Sequence, residues 1–367
     1  MWANSVATSP RHALLARALR VSKALVWKNM RMSATVASVS ESEPKVSERV
    51  RGTDAPCVVK TKRLLASSPG AVSLAQGVVH WSPPTEALEK AARLVTQNGA
   101  VNAYGASAGL PALTEKLKEK LEKENGLAGY NVMVTSGANQ AFTNVVLTLC
   151  DDSDGVVLFK PYYFNHLMAV QMTGGAAGVI FGESDPHTLH PDLDWLEKTL
   201  SGPKKPRMVV VVNPNNPTGV LLTKEELERL SSICEKAGVW LVMDNTYEYF
   251  VYDGREHFCV SGPHVIHIFS FSKAYGMMGW RVGYLAYPDF DGCDRLGFEL
   301  GKIQDTIPIC PAQLSQHVAV GAMDAGLEWV QSRVQGLAEN RRLVLDALSP
   351  LGNLGNGVAG GEGAIYL

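Results

Sequence analysis

The 367 residues are 46% hydrophobic and 19% charged, enough to bury one large core or two modest ones, which excludes a disordered or fibrous chain. Thirty-four Lys and Arg against thirty-six Asp and Glu give a formal charge of -2, so no global field favours nucleic acid or an anionic membrane as partner. No apolar run approaches the roughly 18 to 20 residues that a bilayer requires, and the six scattered cysteines lack the C-x-x-C pairing of a zinc site or the density of a disulfide framework.

The first forty residues contain no acidic side chain, while Arg11, Arg17, Arg20, Lys23, Lys28 and Arg31 alternate with Leu14, Leu15, Leu19, Leu25 and Val26. This is transit-peptide composition, read as import into an organelle, the mitochondrion ahead of the plastid, with a basic helix coating a membrane or partner as the blander reading and the cytoplasm as the alternative location. The expected organisation is a leader over 1–49, the amino-terminal segment of a small domain over 50–84, a large domain over 85–310 and an incomplete small domain over 311–367.

Short β-branched runs then alternate with helical stretches, the pattern of an α/β fold. Val132 to Thr135 reads as a strand, and Ser136-Gly137-Ala138-Asn139-Gln140 follows it into an apolar helix over 141–149, which aims backbone N–H groups and a helix dipole at an anion. Met208 to Val212 is a fully apolar strand. The next helix starts at Thr223, with Glu226 completing a capping box, and Gly238 closes it. Val239 to Met243, Val265 to Phe269 and Val282 to Tyr287 complete a set of strands expected to be parallel, with crossovers. At the other end, Gly360 to Leu367 reads as a glycine turn entering a strand that lacks its partner, as if the chain were incomplete.

Ligands of an open parallel sheet bind beyond the carboxyl ends of its strands. Here those ends are polar: Asn213-Pro214-Asn215-Asn216-Pro217-Thr218-Gly219, Asp244-Asn245-Thr246-Tyr247, and Ser270-Phe271-Ser272-Lys273 with Arg281 eight residues on. A lysine near an arginine and the positive pole of a helix has a depressed pKa, which supplies the neutral amine that forms a Schiff base. A carboxylate at the neighbouring strand end keeps a pyridine nitrogen protonated, as pyridoxal phosphate chemistry requires.

From about residue 55 onward the chain resembles the fold-type I aminotransferases of class I/II, through Asn-Pro-x-Asn-Pro-Thr-Gly, Asp-x-x-Tyr and Ser-x-Ser-Lys followed by Gly-Trp-Arg-Val-Gly. The resemblance implies a mostly parallel seven-stranded sheet in a large domain with a smaller α+β domain, pyridoxal 5'-phosphate as cofactor, no metal, and an amino acid and a 2-oxo acid as substrates. It makes Lys273 the Schiff-base lysine and proton shuttle and pairs Asp244 with the pyridine nitrogen. It sets Tyr247 and Asn216 on the cofactor O3' and gathers Ser270, Ser272, Arg281, Gly137, Ala138 and Asn139 round the phosphate. Tyr163 is the expected ring-stacking aromatic, with plain core packing as its bland reading. Tyr104 is the residue that reaches a partner's phosphate across a homodimer. Gly77, Asn216 and Trp81 are assigned to the substrate, with packing as the alternative for His80 and Trp81.

The stretches Leu74 to Trp81, Asp244 to Phe250 and Ser272 to Trp280 resemble most the plant and algal aromatic aminotransferases of the kynurenine and methionine branch. One family feature has no counterpart: the late arginine that clamps the substrate carboxylate. Arg341 and Arg342, on a helix, do not substitute for it. A Ser-x-x-Lys acyl transferase and a nicotinamide enzyme fail for want of their companion motifs. A lyase of the same fold (C-S lyase or aminocyclopropane carboxylate synthase-like) and an inactive truncated homologue that acts as a binding partner remain the alternatives.

Overall fold

Strand residues alternate between the two faces of a sheet, and here both faces are apolar and buried. In the computed structural model, Val156 and Leu158 of one strand, Met208 and Val210 of the next and Val242 of a third enter one core with Phe142, Val145 and Val170. Their neighbours Val157, Phe159, Val209, Val211, Leu241 and Met243 enter another, with Leu196, Leu227 and Leu230. Period-2 burial on both faces makes these strands read as continuous β-branched runs.

The structure describes residues 44–97, 99–173, 178–289, 292, 294–354 and 357–367. Of the leader expected over 1–49, residues 1–43 lie outside them, and residues 48–367 form a single compact unit. The strands of its main sheet are β1 (Tyr130–Thr135), β2 (Val156–Phe159), β3 (Val179–Gly182), β4 (Met208–Val212), β5 (Trp240–Asp244), β6 (Val265–Ser270) and β7 (Gly283–Pro288). They form one sheet in the order β1-β7-β6-β5-β4-β2-β3. The helices that matter to the cleft are α1 (Cys57–Ala66), α2 (Pro111–Asn125), α3 (Ala138–Leu149), α4 (Phe164–Met172), α5 (Lys224–Ala237) and α6 (Gly326–Leu348). Among the described residues no helix is long and apolar enough to cross a membrane.

Local chemistry sets the element ends as expected at α5. Thr223 accepts from the Glu226 N–H while the Glu226 carboxylate accepts from the Thr223 N–H, and Gly238 closes the helix in the left-handed region at φ 67°. Two expectations change. The last strand, β7, runs antiparallel to both β6 and β1, with Ser270 opposite Gly283 and Thr135 opposite Gly283. The twelve residues between β6 and β7 contain no helix, and without a crossover the chain can only turn back beside the strand it has left. Likewise Gly360 to Leu367 is not a strand: it makes one isolated bridge, Val251 to Gly363, and Ala364 at φ 57° breaks any extended run. Ala364 is completely buried, so this segment presents no open strand edge.

Beneath the sheet, Lys120 of α2 and Glu248, both less than a tenth exposed, pair at 2.5 Å. Asn125 donates to the same carboxylate at 2.9 Å, and the ammonium lies 4.6 Å from the Phe269 ring centre. Removing one charge strands the other in a dry site. Glu248→Leu is expected to cost about 3 to 5 kcal/mol, and Lys120→Met combined with Glu248→Leu to recover most of it. Denaturant midpoints of the wild type, the two single variants and the double variant read this directly.

Candidate active site

β5 ends on Asp244, which is 4% exposed and held on both carboxylate oxygens. Oδ1 accepts from the Thr246 N–H at 3.0 Å and from its hydroxyl at 2.6 Å, while Oδ2 lies 3.1 Å from His166 Nε2. His166 comes from α4 and is wedged between the Phe142 ring, 4.1 Å centre to centre, and Tyr163 at 5.2 Å. The sequence reading did not single out His166, because a lone histidine on an apolar helix reads as a core residue.

Lys273 follows β6 and its Nζ donates to the Gly77 carbonyl at 2.5 Å. Its pKa is pushed down to about 8, mainly by burial and secondarily by the Arg281 guanidinium. The expected direction holds, but desolvation is the larger cause. Because β7 returns antiparallel, Arg281 re-enters the same end of the sheet with φ 55°, in the left-handed region that a non-glycine residue adopts at a cost of order 1–3 kcal/mol. Its guanidinium donates to the Met278 carbonyl at 2.9 Å and the Ser136 carbonyl at 3.4 Å.

The turn at the start of α3 is built for close approach. Gly137 sits at φ 88° and supplies no side-chain cap, so the first N–H groups of the helix are open to an anion. A Cβ on Gly137 would strike the Arg281 guanidinium, and one on Gly283 would lie 2.7 Å from the Ala138 nitrogen. Ser270 and Ser272 complete this end, with the Ser272 N–H donating to the Ser270 hydroxyl at 3.1 Å.

One cleft of about 650 Å³ gathers Gly77, Ala138, Asn139, Tyr163, Asn216, Asp244, Tyr247, Ser270, Ser272, Lys273 and Arg281. It holds N–H and guanidinium donors at one end, a buried carboxylate, and an amine of lowered pKa. This donor set fits a phosphorylated pyridine aldehyde. Tyr163 stands against Asn139, hydroxyl to Oδ1 3.3 Å, and accepts from Asn165 at 3.0 Å. Tyr247 is 3% exposed with its hydroxyl 2.8 Å from that of Tyr366, a cleft residue outside the motifs on which the sequence reading rested.

Four residues stand elsewhere. Trp81, assigned to the substrate, is instead packed in the core: it is 8% exposed, its indole N–H is spent on the Ala274 carbonyl at 3.2 Å, and it stacks on Phe250. Its ring therefore braces the Lys273 segment from behind. Tyr104 is 83% exposed. Arg341 is taken up by Asp253 at 2.8 Å and the Gly361 carbonyl at 2.7 Å, far from any role in the cleft. Arg342 pairs with Glu339 and Asp346.

Known proteins agree with this geometry. The family described as aminotransferase class I and II matches residues 69–367. The aromatic aminotransferase ISS1 of Arabidopsis thaliana is 52% identical over 323 residues, covering 88% of this chain and 80% of that protein. The aspartate aminotransferase of Thermotoga maritima is 28% identical, covering 84% and 79%. Among solved structures, a Thermus thermophilus aspartate aminotransferase single mutant superposes with a TM-score of 0.76 at 29% identity, covering 84% of this chain and 81% of that one. A family match over most of the chain, on a sheet that brings a buried lysine, a carboxylate and an anion-binding turn to one edge, places this protein among the class I and II aminotransferases, which use pyridoxal phosphate.

Proposed function

We propose that this aminotransferase takes aromatic amino acids or methionine as its amino donors, passing the amino group to a 2-oxo acid. The observation that carries the chemistry is Lys273, an amine of lowered pKa, in the same cleft as the doubly held Asp244. Pyridoxal phosphate, when bound, accepts the electron pair left as the substrate Cα–H bond breaks.

The chain's residues divide the remaining work. Lys273 holds the cofactor aldehyde and carries a proton between Cα and C4'. Asp244, oriented by His166 and Thr246, pairs with the pyridine nitrogen and favours its protonated form. Ala138, Asn139, Ser270, Ser272 and Arg281 bind the phosphate, with Gly137 leaving room for it. Tyr247 and Asn216 hydrogen-bond O3', Tyr163 stacks on the ring, and Gly77 and Asn216 face the substrate. Tyr104, largely exposed, is free to reach the phosphate of a second copy, so the active form is a homodimer.

Specificity rests on what the cleft lacks. Among the described residues that line it, the cations are Lys273 and Arg281, both used by the cofactor, while Leu74, Val78, Met278 and Phe164 supply apolar wall. A side-chain carboxylate would be buried without a partner, whereas an aromatic or thioether group gains area burial. The 52% identity to an aromatic aminotransferase points the same way. The relatives named above are aminotransferases, which favours transamination over a lyase reading. For location, we propose organelle import through the leader, whose first forty residues carry no acidic side chain, which a fluorescent reporter fused to residues 1–49 would test.

Loading the protein with pyridoxal phosphate is expected to give a visible band that borohydride abolishes while fixing the cofactor covalently on Lys273. A Lys273→Ala protein that keeps both the band and the adduct refutes the assignment. Only the neutral amine attacks the aldehyde, so the rate of cofactor capture should rise with pH and level off above about 8. Arg281→Gln should move that midpoint upward, and only part of the way to an ordinary lysine, because burial is the larger cause. In a donor competition, kcat/KM for tryptophan, phenylalanine or methionine should exceed that for aspartate about tenfold or more, the scale set by one unpaired buried polar group. A preference for aspartate would overturn the substrate class.

A further inference from the structure

One more phenol of the cleft stands beside Tyr247, on a segment fixed more firmly than a surface loop needs to be. Tyr366 lies at the end of Gly360 to Leu367. The Gly361 N–H donates to the Thr218 carbonyl at 3.1 Å, Gly363 to Gly219 at 2.8 Å and Ala364 to Phe250 at 2.8 Å. The Tyr252 hydroxyl donates to the Ala364 carbonyl at 2.8 Å. These bonds tie the segment to both the Asn-Pro loop and the turn that carries Tyr247. Gly219, at φ 69°, is the contact point: a Cβ there would stand 2.7 Å from the Tyr366 carbonyl oxygen. On the other side a Cβ at Gly77 would stand 2.7 Å from the Tyr366 hydroxyl. Two glycines thus clear the space in which this phenol meets that of Tyr247, at 2.8 Å, with the rings 5.6 Å apart and nearly perpendicular.

A hydroxyl carries one proton and two lone pairs. If Tyr247 gives its proton to the cofactor O3', its own oxygen is left as an acceptor, and the group within reach is Tyr366. We propose that Tyr366 is a positioning residue that donates its hydroxyl proton to Tyr247 and so directs the single proton of Tyr247 at the cofactor. The inference rests on the reading of Tyr247 given above. Linked hydrogen bonds polarise one another, so a Tyr247 that accepts from Tyr366 is the stronger donor to O3'. Negative charge on O3' is then better stabilised, and the lysine-bound cofactor loses its proton more readily.

The surroundings keep both phenols protonated. Burial is the main cause that raises each above its ordinary value, and for Tyr247 the neighbouring Tyr366, Tyr163 and Asp244 add to it. Tyr163 follows β2, Asp244 ends β5, and Lys273 and Arg281 follow β6. With Tyr162, also after β2, and Cys57 at the start of α1, these are the titratable and charged groups that line the cleft with the pair.

The test is a spectrophotometric pH titration of the visible band in the full chain loaded with pyridoxal phosphate. Tyr247→Phe should raise the midpoint. Tyr366→Phe should raise it by a smaller amount, about half a unit, which is about threefold in the acid constant. The double variant should match Tyr247→Phe alone, since Tyr366 acts through Tyr247. Replacing Tyr366 by 3-fluorotyrosine keeps the ring and strengthens the donor, and should lower the midpoint even if the phenylalanine variant folds poorly. Melting temperatures before cofactor addition separate packing from this effect. A midpoint unmoved or lowered by Tyr366→Phe, or two shifts that simply add, overturns the inference while leaving Tyr247 on O3'. A midpoint unmoved by Tyr247→Phe removes the reading beneath it as well.

Discussion

A sheet buried on both faces can place polar chemistry only where its strands end. β2, β4 and β5 fill one core with their odd positions and another with their even ones, so no charged side chain fits along their length. At the carboxyl ends the backbone opens and the helix beginnings turn their N–H groups outward. The cleft is the consequence: Asp244 closes β5, Ser270 closes β6, and Gly137 and Ala138 stand just beyond β1. The same packing that stabilises the fold desolvates what stands at its rim. Lys273 owes its lowered pKa first to that burial and only second to a neighbouring cation.

The reversal at β7 has as much effect on the site as any single side chain. A parallel seventh strand would have carried the residues before it to the far edge of the sheet. Antiparallel to β6 and β1, it brings Arg281 back to the open end of α3 within eight residues of Lys273. The left-handed backbone at Arg281 and the bare glycine opposite it belong to one arrangement, in which guanidinium and helix N-terminus approach without an intervening side chain. A conformational cost at such a point is tolerated because the surrounding sheet registers leave no alternative.

The segments flanking the sheet contribute through carbonyls and aromatic rings more than through charge. Gly77 accepts from Lys273, Trp81 supports the lysine loop from the core, and Tyr366 meets Tyr247 within the cleft. Arginines on α6 serve the scaffold: Arg341 ties Asp253 to the Gly361 carbonyl and so helps hold the segment that bears Tyr366.

The sequence by itself determined the strands β1, β4, β5, β6 and β7, the α5 capping box, the glycine turn before α3 and the polar strand ends, because each is written in local periodicity or in the chemistry of adjacent residues. The motifs also carried the family. Only the tertiary structure decided the direction of β7, the shift of Trp81 from cleft to core and the folded path of residues 360–367. It alone joined His166 to Asp244 across 78 positions, Tyr247 to Tyr366 across 119 and Lys273 to Gly77 across 196. Periodicity reports which face a residue takes within its own element. Which residue it meets across such distances is fixed by how the elements pack, and no spacing in the chain encodes that.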